Sequence, residues 1–515
     1  MENKKTKIIS IASIIALALT LVTATFAYFM AQTGEGKSTD IKINANTVDT
    51  FTFATGSAIS LSMNQQNFAS GTGNQTGSTY AKAMLTANNK TNTATEHYYV
   101  YLNISDNTFT YTQDANTPEL LLTVKDSSGN AITSITGLTY KTVTDGKGAS
   151  VSGFDITTKS GLVTLFDNRE ITTTSSKTEQ WNITATFVNY NADQSANAGK
   201  SFKSKVLIQK EGFLLTDYVL SQYTGTQGEN GIYYHSSTLA NGARDNSYRY
   251  AGANPNNFVC FGSTTSPCPT DNLYRIIGVF GENYHGVSGK QLVKLIKYDY
   301  ANSNLLGTDG DYDVSGTPNA QYYKGSLTSI DKYYWNNNTQ TNTWSESLLN
   351  KTNLNTNFIN NIGSTWANKI ATTIWKVGGG TFANINYAVP KTAYQYEVGS
   401  SASSTTYEAK IGLMYASDYG FGAVSEAWTT TLVNYNGSVN GSTIRSQNWM
   451  HMGNTEWTIS RDSDDSKSAQ NVRGDGNMLN GYMDDGSGVR ASFSLESTVT
   501  YASGTGTQSD PIRIN

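Results

Sequence analysis

The sequence predicts a mainly β protein, in which an N-terminal antiparallel β-sandwich is followed by an α+β domain. The composition favours strands, because the 515 residues include 32 tyrosines and many threonines. Apolar and polar residues alternate with period two through the first half, as in half-buried strands. The composition changes near residue 211, since Trp181 is the only tryptophan before it and seven follow. A chain of this length exceeds one ordinary core, so we place a domain boundary at residues 210–212.

Residues 1–27 have the pattern of an export signal. Three lysines within the first seven residues precede an uncharged apolar run, residues 8–31, and small residues stand before a predicted cleavage between Ala27 and Tyr28. The alternative is an uncleaved membrane anchor, because the run is long enough to span a bilayer and the lysines would stay inside. Either way, we expect the protein to be extracellular or on the cell surface.

Residues 47–210 are predicted to form the sandwich. Val100, Leu102 and Ile104 alternate with polar or tyrosine neighbours, as one buried face of a strand requires. Turn signals rich in Gly, Asn and Asp separate runs of this kind. Several short strands with regular turns are typical of a β-sandwich. The same alternation recurs at residues 120–124, 181–187 and 202–208.

Residues 245–515 are predicted to form the α+β domain, after a linker or lead-in segment at residues 211–244. Apolar side chains recur every four residues from Leu354 to Ile370, which predicts a helix that Gly363 weakens only slightly. Four further apolar runs predict strands, at residues 274–279, 292–296, 411–414 and 489–495.

Cys260 and Cys268 are the only cysteines of the chain. In an exported protein such a close pair predicts a disulfide, with two free buried thiols as the alternative. Closing so short a loop stabilises a fold by about 2–3 kcal/mol in the chain-entropy picture. No histidine lies between the two cysteines, so the pair does not predict a zinc site.

Two stretches of the first half carry a family resemblance. Residues 24–29 read Ala-Thr-Phe-Ala-Tyr-Phe ahead of a strand-like segment at 39–53, and residues 181–208 contain Gly-Lys-Ser-Phe at 199–202. These stretches resemble the TasA/camelysin family of secreted bacterial matrix proteins, over about residues 1–210. The resemblance implies a sandwich that assembles into extracellular fibres.

After cleavage, residues 28–46 would form a free N-terminal arm. A sandwich with an open edge must protect or pair that edge, and fibre formers pair it with a strand donated by the next subunit. We expect the arm to donate this strand, with Ile41 and Ile43 as its alternating apolar contacts. The alternatives are an arm that pairs within its own subunit and a disordered spacer between membrane and domain.

Three phrases of the second half carry a second resemblance: residues 274–280 before 292–296, residues 413–419 before 449–461, and residues 489–495. They are similar to an uncharacterised module of bacterial surface proteins. That module looks like a C-type-lectin-like fold, the scaffold shared with formylglycine-generating enzymes, and would cover residues 245–515. The copper-binding cysteine pair of those enzymes, expected near the end of the domain, is missing. The resemblance therefore implies no oxidase activity.

Asp309, Asp311 and Asp313 place three carboxylates at alternate positions, like the opening of a calcium loop. Val314 stands where such a loop requires glycine, so a solvated loop without metal is the alternative. Apart from this calcium candidate, the sequence predicts no cofactor.

Trp428, Trp449 and Trp457 lie in the lectin-like half and are candidates for stacking on the sugar rings of a surface glycan. The alternative is that they belong to the core. We expect no enzyme, because neither His-Glu-x-x-His nor Gly-x-Ser-x-Gly occurs in the sequence. A glycoside hydrolase with paired carboxylates stays open, since such pairs have no local signature.

Charged residues make up 15% of the chain, and the formal net charge is -4. A nucleic-acid binder would carry a basic face, so that class is excluded. The sequence predicts an exported structural or adhesive protein of the cell surface or of a biofilm matrix. Its expected partners are itself or related matrix subunits, surface glycans, and the membrane if the N-terminus is uncleaved. The alternative is a monomeric carbohydrate-binding protein, secreted or membrane-anchored, which does not need the arm.

Overall fold

The computed structural model describes residues 49–68, 71–87, 93–114, 116–281, 289–314, 330–378, 380–398 and 405–515. The predicted signal segment, its cleavage between Ala27 and Tyr28, and the arm at residues 28–46 lie outside these ranges. The chain divides into two compact units, Met1–Gly212 and Phe213–Asn515, so the division falls at the predicted boundary. The described residues are mainly β, as predicted.

Ten strands make up most of the described part of the first unit. They are β1 Thr50–Thr55, β2 Ile59–Ser62, β3 Gln75–Thr86, β4 Ala94–Asn107, β5 Leu120–Lys125, β6 Tyr140–Thr144, β7 Ser150–Asp155, β8 Gly161–Thr173, β9 Ser176–Phe187 and β10 Ser201–Gln209. The 3₁₀ turns Gln65–Phe68 and Ser195–Asn197 lie in two of the connections. Each of the four alternating runs singled out in the sequence lies within one of these strands.

The strands form two antiparallel sheets around one apolar core. The first sheet has the order β1-β3-β9-β5-β7-β6, and the second has the order β2-β10-β4-β8. Val100 and Leu102 of β4 are fully buried, as are Ile183 and Ala185 of β9, and all four belong to the same core cluster. Alternate residues of these two strands thus point into the core between the sheets, and the predicted β-sandwich is confirmed.

The second unit mixes short helices with strands. Its helices are α1 Leu215–Ser221, α2 Ser303–Leu306, the π-helix Leu349–Phe358, α3 Ile359–Asn361, α4 Ser364–Ala367, α5 Phe382–Ile385, α6 Pro390–Glu397 and α7 Ala416–Phe421. Its 3₁₀ turns are Glu229–Gly231, Thr270–Asn272, Ser425–Thr429, Leu432–Asn434 and Ile444–Gln447. Its strands are β11 Ile232–Tyr234, β12 Tyr248–Tyr250, β13 Phe258–Cys260, β14 Leu273–Phe280, β15 Leu292–Lys297, β16 Thr373–Lys376, β17 Thr406–Ala409, β18 Ile411–Gly412, β19 Ser438–Val439, β20 Ser442–Thr443, β21 Glu456–Arg461, β22 Ser468–Val472, β23 Met478–Tyr482, β24 Ser492–Ser494, β25 Tyr501–Ser503 and β26 Arg513–Ile514.

A seven-stranded sheet forms the centre of the second unit. Its order is β11-β12-β14-β15-β24-β18, and β13 also pairs with β14. Every residue of β14 and of β15 is buried, so both faces of these strands are covered. A polar side chain on such a strand cannot reach water and needs a partner inside the protein. The α+β class is as predicted, and the lectin-like assignment stays a prediction.

The structure of the second unit differs in detail from three of the sequence-based expectations. The segment 211–244, predicted to be a linker, instead contributes α1 and β11 to the unit. The expected helix begins as a π-helix, in which Leu349 and Leu354, five residues apart, are both fully buried. Gly363, with a φ of 78°, then separates α3 from α4. The last two predicted strands are shorter than expected, because only two and three residues pair in β18 and β24.

The predicted disulfide between Cys260 and Cys268 is confirmed. Their Cα atoms lie 5.9 Å apart, and the bond ties the end of β13 to the loop before β14. Among the residues that the structure describes, no helix is long and apolar enough to cross a membrane.

Candidate functional site

The three tryptophans predicted to bind sugar lie in the core instead. Trp428, Trp449 and Trp457 are only 1%, 2% and 1% exposed. Each indole N–H donates to a backbone carbonyl oxygen, at distances of 2.8 to 3.1 Å. A ring enclosed in this way has no face for a ligand, so the prediction of glycan stacking at these positions is wrong. A buried indole needs an internal acceptor, and the backbone of this unit supplies one for each.

The three aspartates predicted to bind calcium have structural partners. The Asp311 carboxylate accepts backbone N–H bonds from Leu348 and Leu349 at 3.0 and 3.1 Å, so it caps the start of the π-helix. Asp309 accepts from an asparagine amide, and Asp313 accepts from a tyrosine hydroxyl. Within the described ranges, no group of three or more His, Cys, Asp or Glu side chains could hold a metal ion. The structure does not bring these carboxylates together as a metal site.

A small polar cleft opens on the first unit. It has a volume of about 210 Å³, and its lining includes Tyr111, Lys141, Asp155 and Lys159. The Asp155 carboxylate accepts hydrogen bonds from Lys141 and from the Tyr111 hydroxyl, both at 3.1 Å. The cleft is smaller than the 300–1,000 Å³ usual for ligand pockets, and its carboxylate is already paired. The cleft is therefore a weaker candidate than the sheet edge described next.

Strand β1, which follows the predicted arm in sequence, presents an open sheet edge among the described residues. Within the described residues, β1 pairs on one side only, where Phe51 lies opposite Leu85 and Phe53 opposite Ala83 of β3. Phe51 and Phe53 are half-buried against the core, with their ring centres 4.6 Å apart. Tyr98 lies behind both, at 6.3 and 6.4 Å. An unpaired edge that carries apolar rings is a ready template for another strand.

A cluster of charged side chains lies inside the second unit. Arg249 of β12 donates to Asp245 at 2.7 Å and to Asp418 of α7 at 3.3 Å. Lys294 of β15 donates to the second oxygen of Asp418 at 2.6 Å. None of these side chains is more than 6% exposed. Two cations thus face two anions, and the cluster is balanced in charge.

Glu397, at the end of α6, borders this buried ionic cluster. Its carboxylate accepts the backbone N–H groups of Ala416 and Ser417 at 2.7 and 3.0 Å, and the hydroxyl of Ser460. Burial raises the pKa of Glu397 to about 7, against these hydrogen bonds, which lower it. The carboxyl group therefore changes its charge near neutral pH.

A second buried pair joins Arg490 to Glu456. The guanidinium donates to both carboxylate oxygens, at 2.6 and 2.8 Å, and also to the carbonyl oxygen of Met450 at 2.6 Å. Both side chains are 1% exposed. This bidentate geometry compensates the loss of hydration that each charge suffers inside the protein.

His235 is fully buried beside the ionic cluster. Burial first, and the nearby Arg249 second, lower the pKa of His235 to about 3. Its Nδ1 accepts the backbone N–H of Ala243 at 3.0 Å, and its ring packs against Phe421 and Trp428. The imidazole is therefore neutral at physiological pH and serves the packing of the core rather than acid–base chemistry.

The ionic cluster leaves almost no trace in the sequence, because its members are far apart along the chain. Lys294 and Asp418 are 124 residues apart, and Arg249 and Asp418 are 169 apart. The one local signal was a lysine inside the apolar run 292–296, which implies a buried cation.

Comparisons with protein-family models, curated proteins and solved structures found no match for this chain.

Proposed function

We propose that this chain is an exported structural and adhesive surface protein that assembles through its sandwich. The supporting observation is the open edge of β1, where Phe51 and Phe53 are only half-buried. A strand added at this edge would satisfy the outward backbone groups of β1 and cover both rings. Such a strand from a neighbouring copy would link subunits head to tail, which produces an open fibre.

The proposed donor is the arm at residues 28–46 of the next copy. A fully extended arm of this length spans about 60 Å, which is enough to leave one subunit and lie along the six residues of β1 in another. Ile41 and Ile43, two residues apart on an extended strand, would both point toward the core and cover Phe51 and Phe53. This role rests on the amino-acid pattern of the arm and on the edge that follows it in sequence.

In this proposal the second unit is the part displayed to the surroundings. Its disulfide and its buried ion pairs suit a module that stays folded outside the cell. The C-type-lectin-like fold, surface glycans as partners and membrane attachment through an uncleaved N-terminus belong to the same proposal. The competing function is a monomeric carbohydrate-binding protein. The three tryptophans that were its candidate binding residues are buried in the core, which weakens this alternative.

The test is negative-stain electron microscopy of purified residues 28–515. We expect filaments from this chain and single particles from a chain that begins at Thr47. Phe53→Asp places a charge on the β1 edge and should abolish the filaments, whereas Val143→Asp, on the opposite edge strand β6, should keep them. Circular dichroism of each variant separates lost assembly from lost folding.

Single particles from residues 28–515 would contradict self-assembly and would favour the carbohydrate-binding monomer. Filaments from the chain that begins at Thr47 would show that assembly does not need the arm. Filaments from the folded Phe53→Asp variant would exclude the β1 edge as the assembly surface.

A further inference from the structure

Lys294 and Asp418 meet in the interior of the second unit. Lys294 Nζ lies 2.6 Å from Asp418 Oδ2, and both side chains are 0% exposed. The ammonium group is also 4.7 Å from the centre of the Tyr415 ring and 5.2 Å from that of Trp375. An amine and a carboxyl group are therefore held in contact inside an aromatic environment that excludes water.

We propose that these two side chains condense into an intramolecular amide bond between Lys294 Nζ and Asp418 Cγ. The contact already holds the nucleophile against the carboxyl group, so condensation costs little further orientational entropy. Forming the amide also removes two buried charges, each of which carries a desolvation penalty. The product is a covalent link between β15 and α7.

Burial assists the step because it makes the neutral amine of Lys294 easier to form. Desolvation lowers the pKa of Lys294, against the opposing effect of Asp418, so the proton passes more readily along the 2.6 Å contact. That transfer converts the ion pair into a neutral amine and a neutral acid. Both are the reactive forms, because the amine has its lone pair and the acid has a leaving group.

The atoms of the step balance without another reactant. The Nζ lone pair forms the bond to Cγ, and the Cγ–Oδ2 bond breaks. Of the three protons of the original ammonium group, one stays on the amide nitrogen and two leave with Oδ2 as water. In the tetrahedral intermediate, Oδ1 carries the negative charge, and Arg249, which donates to Oδ1 at 3.3 Å, stabilises it.

The remaining charges stay paired after condensation. Arg249 keeps Asp245 at 2.7 Å, so the loss of the Asp418 carboxylate leaves no isolated cation. By contrast, the ion pair between Lys141 and Asp155 in the first unit is 3.1 Å long, and its lysine side chain is 25% exposed. Water competes for those groups and their charges stay hydrated. That pair therefore stays an ordinary ion pair and serves as an internal control.

The test is peptide mapping of the full chain by mass spectrometry, after denaturation, reduction of the disulfide and digestion with trypsin. We expect one species in which the peptides that contain Lys294 and Asp418 are joined, lighter than their sum by one water molecule. Cleavage after Lys294 should be lost, because an acylated lysine carries no charge. The peptides of Lys141 and Asp155 should appear separately at their full masses.

Two variants assign the link to these atoms. Lys294→Arg keeps the charge but removes the nucleophilic amine, and Asp418→Ala removes the carboxyl group, so both should give only separate peptides. Separate peptides from the wild-type chain, with normal cleavage after Lys294, would overturn the proposal. Persistence of the joined species in Lys294→Arg would place the link at another residue and overturn it too.

Discussion

The two units of this chain treat charge in opposite ways. In the sandwich, the core is apolar and the ion pairs lie at its rim, as with Lys210 and Glu96, whose side chains are 57% and 25% exposed. In the second unit, ion pairs such as Arg490–Glu456 lie in the interior at 1% exposure. The exposed ion pairs of the first unit should therefore contribute little to its stability, whereas the stability of the second unit should depend strongly on its buried ion pairs.

The cause of the difference is the covering of the sheets. Strands of the sandwich alternate between core and solvent, so every second side chain can be polar at no cost. Strands β14 and β15 are buried on both faces, so Arg275 and Lys294 have no route to water. Arg275 donates to Asn257 and packs between the rings of Phe258 and Trp449. Buried cations on these strands therefore need hydrogen-bond acceptors, anions or aromatic rings from neighbouring elements.

The largest expected effect comes from breaking a buried pair. Glu456→Gln leaves Arg490 charged and without its anion, which should lower the free energy of unfolding by about 3–5 kcal/mol. Denaturant unfolding followed by tryptophan fluorescence measures this, because seven of the eight tryptophans lie in the second unit. The double variant Glu456→Leu with Arg490→Met removes both charges and should recover most of the loss. A loss below about 1 kcal/mol in Glu456→Gln would contradict a charge-dependent core.

The next effect is the contribution of His235, in the second unit, to the dependence of stability on pH. The pKa of His235 is about 3 in the folded protein and about 6.5 when unfolded, so between these values the unfolded state binds more protons. The His235 contribution alone should therefore lower stability by about 2 kcal/mol from pH 7 to pH 5. Glu397 acts in the opposite direction over this range, because its raised pKa makes the folded state bind the extra proton. His235→Asn keeps an acceptor near the Nδ1 position and should lose the His235 contribution, so its stability relative to wild type should rise by about 2 kcal/mol between pH 7 and pH 5. His97→Asn, in the first unit, should keep this contribution, and equal slopes in wild type and His235→Asn would refute the assignment.

The smallest effect is expected at the rim of the sandwich. Lys210→Ala breaks the 2.8 Å contact with Glu96, but both groups then regain water. The free energy of unfolding should change by about 0–1 kcal/mol. Lys203→Ala, at an exposed position of β10, is the matched control. A loss of unfolding free energy as large as that of Glu456→Gln would contradict the proposed difference between exposed and buried ion pairs.

The sequence predicts the sandwich well because its signal is local. Val100, Leu102 and Ile104 alternate with solvent-facing residues, and the structure places all three in the core. The disulfide could be predicted as well, since the chain offers only one pair of cysteines. In both cases the prediction needed no knowledge of which distant residues meet.

The second unit was less predictable because its partners are distant. Strand β11 has three residues, too few to show a period, so its segment looked like a linker. Trp428 was a candidate for stacking on a sugar because of its place in the lectin-like half, yet its indole is enclosed by His235, Tyr233 and Phe421. The pairing of Lys294 with Asp418 depends on chain folding over 124 residues, which no local pattern records.

The enclosed ion pairs also decide how this protein responds to dissolved salt. Counterions screen exposed charges over about 10 Å at 0.1 M salt, but they cannot enter the interior around Arg249 or Arg490. The charges that matter most for the second unit are thus insulated from the ionic strength of its surroundings. The contribution of these buried ion pairs to the stability of the unit should therefore be about the same at low and at high salt.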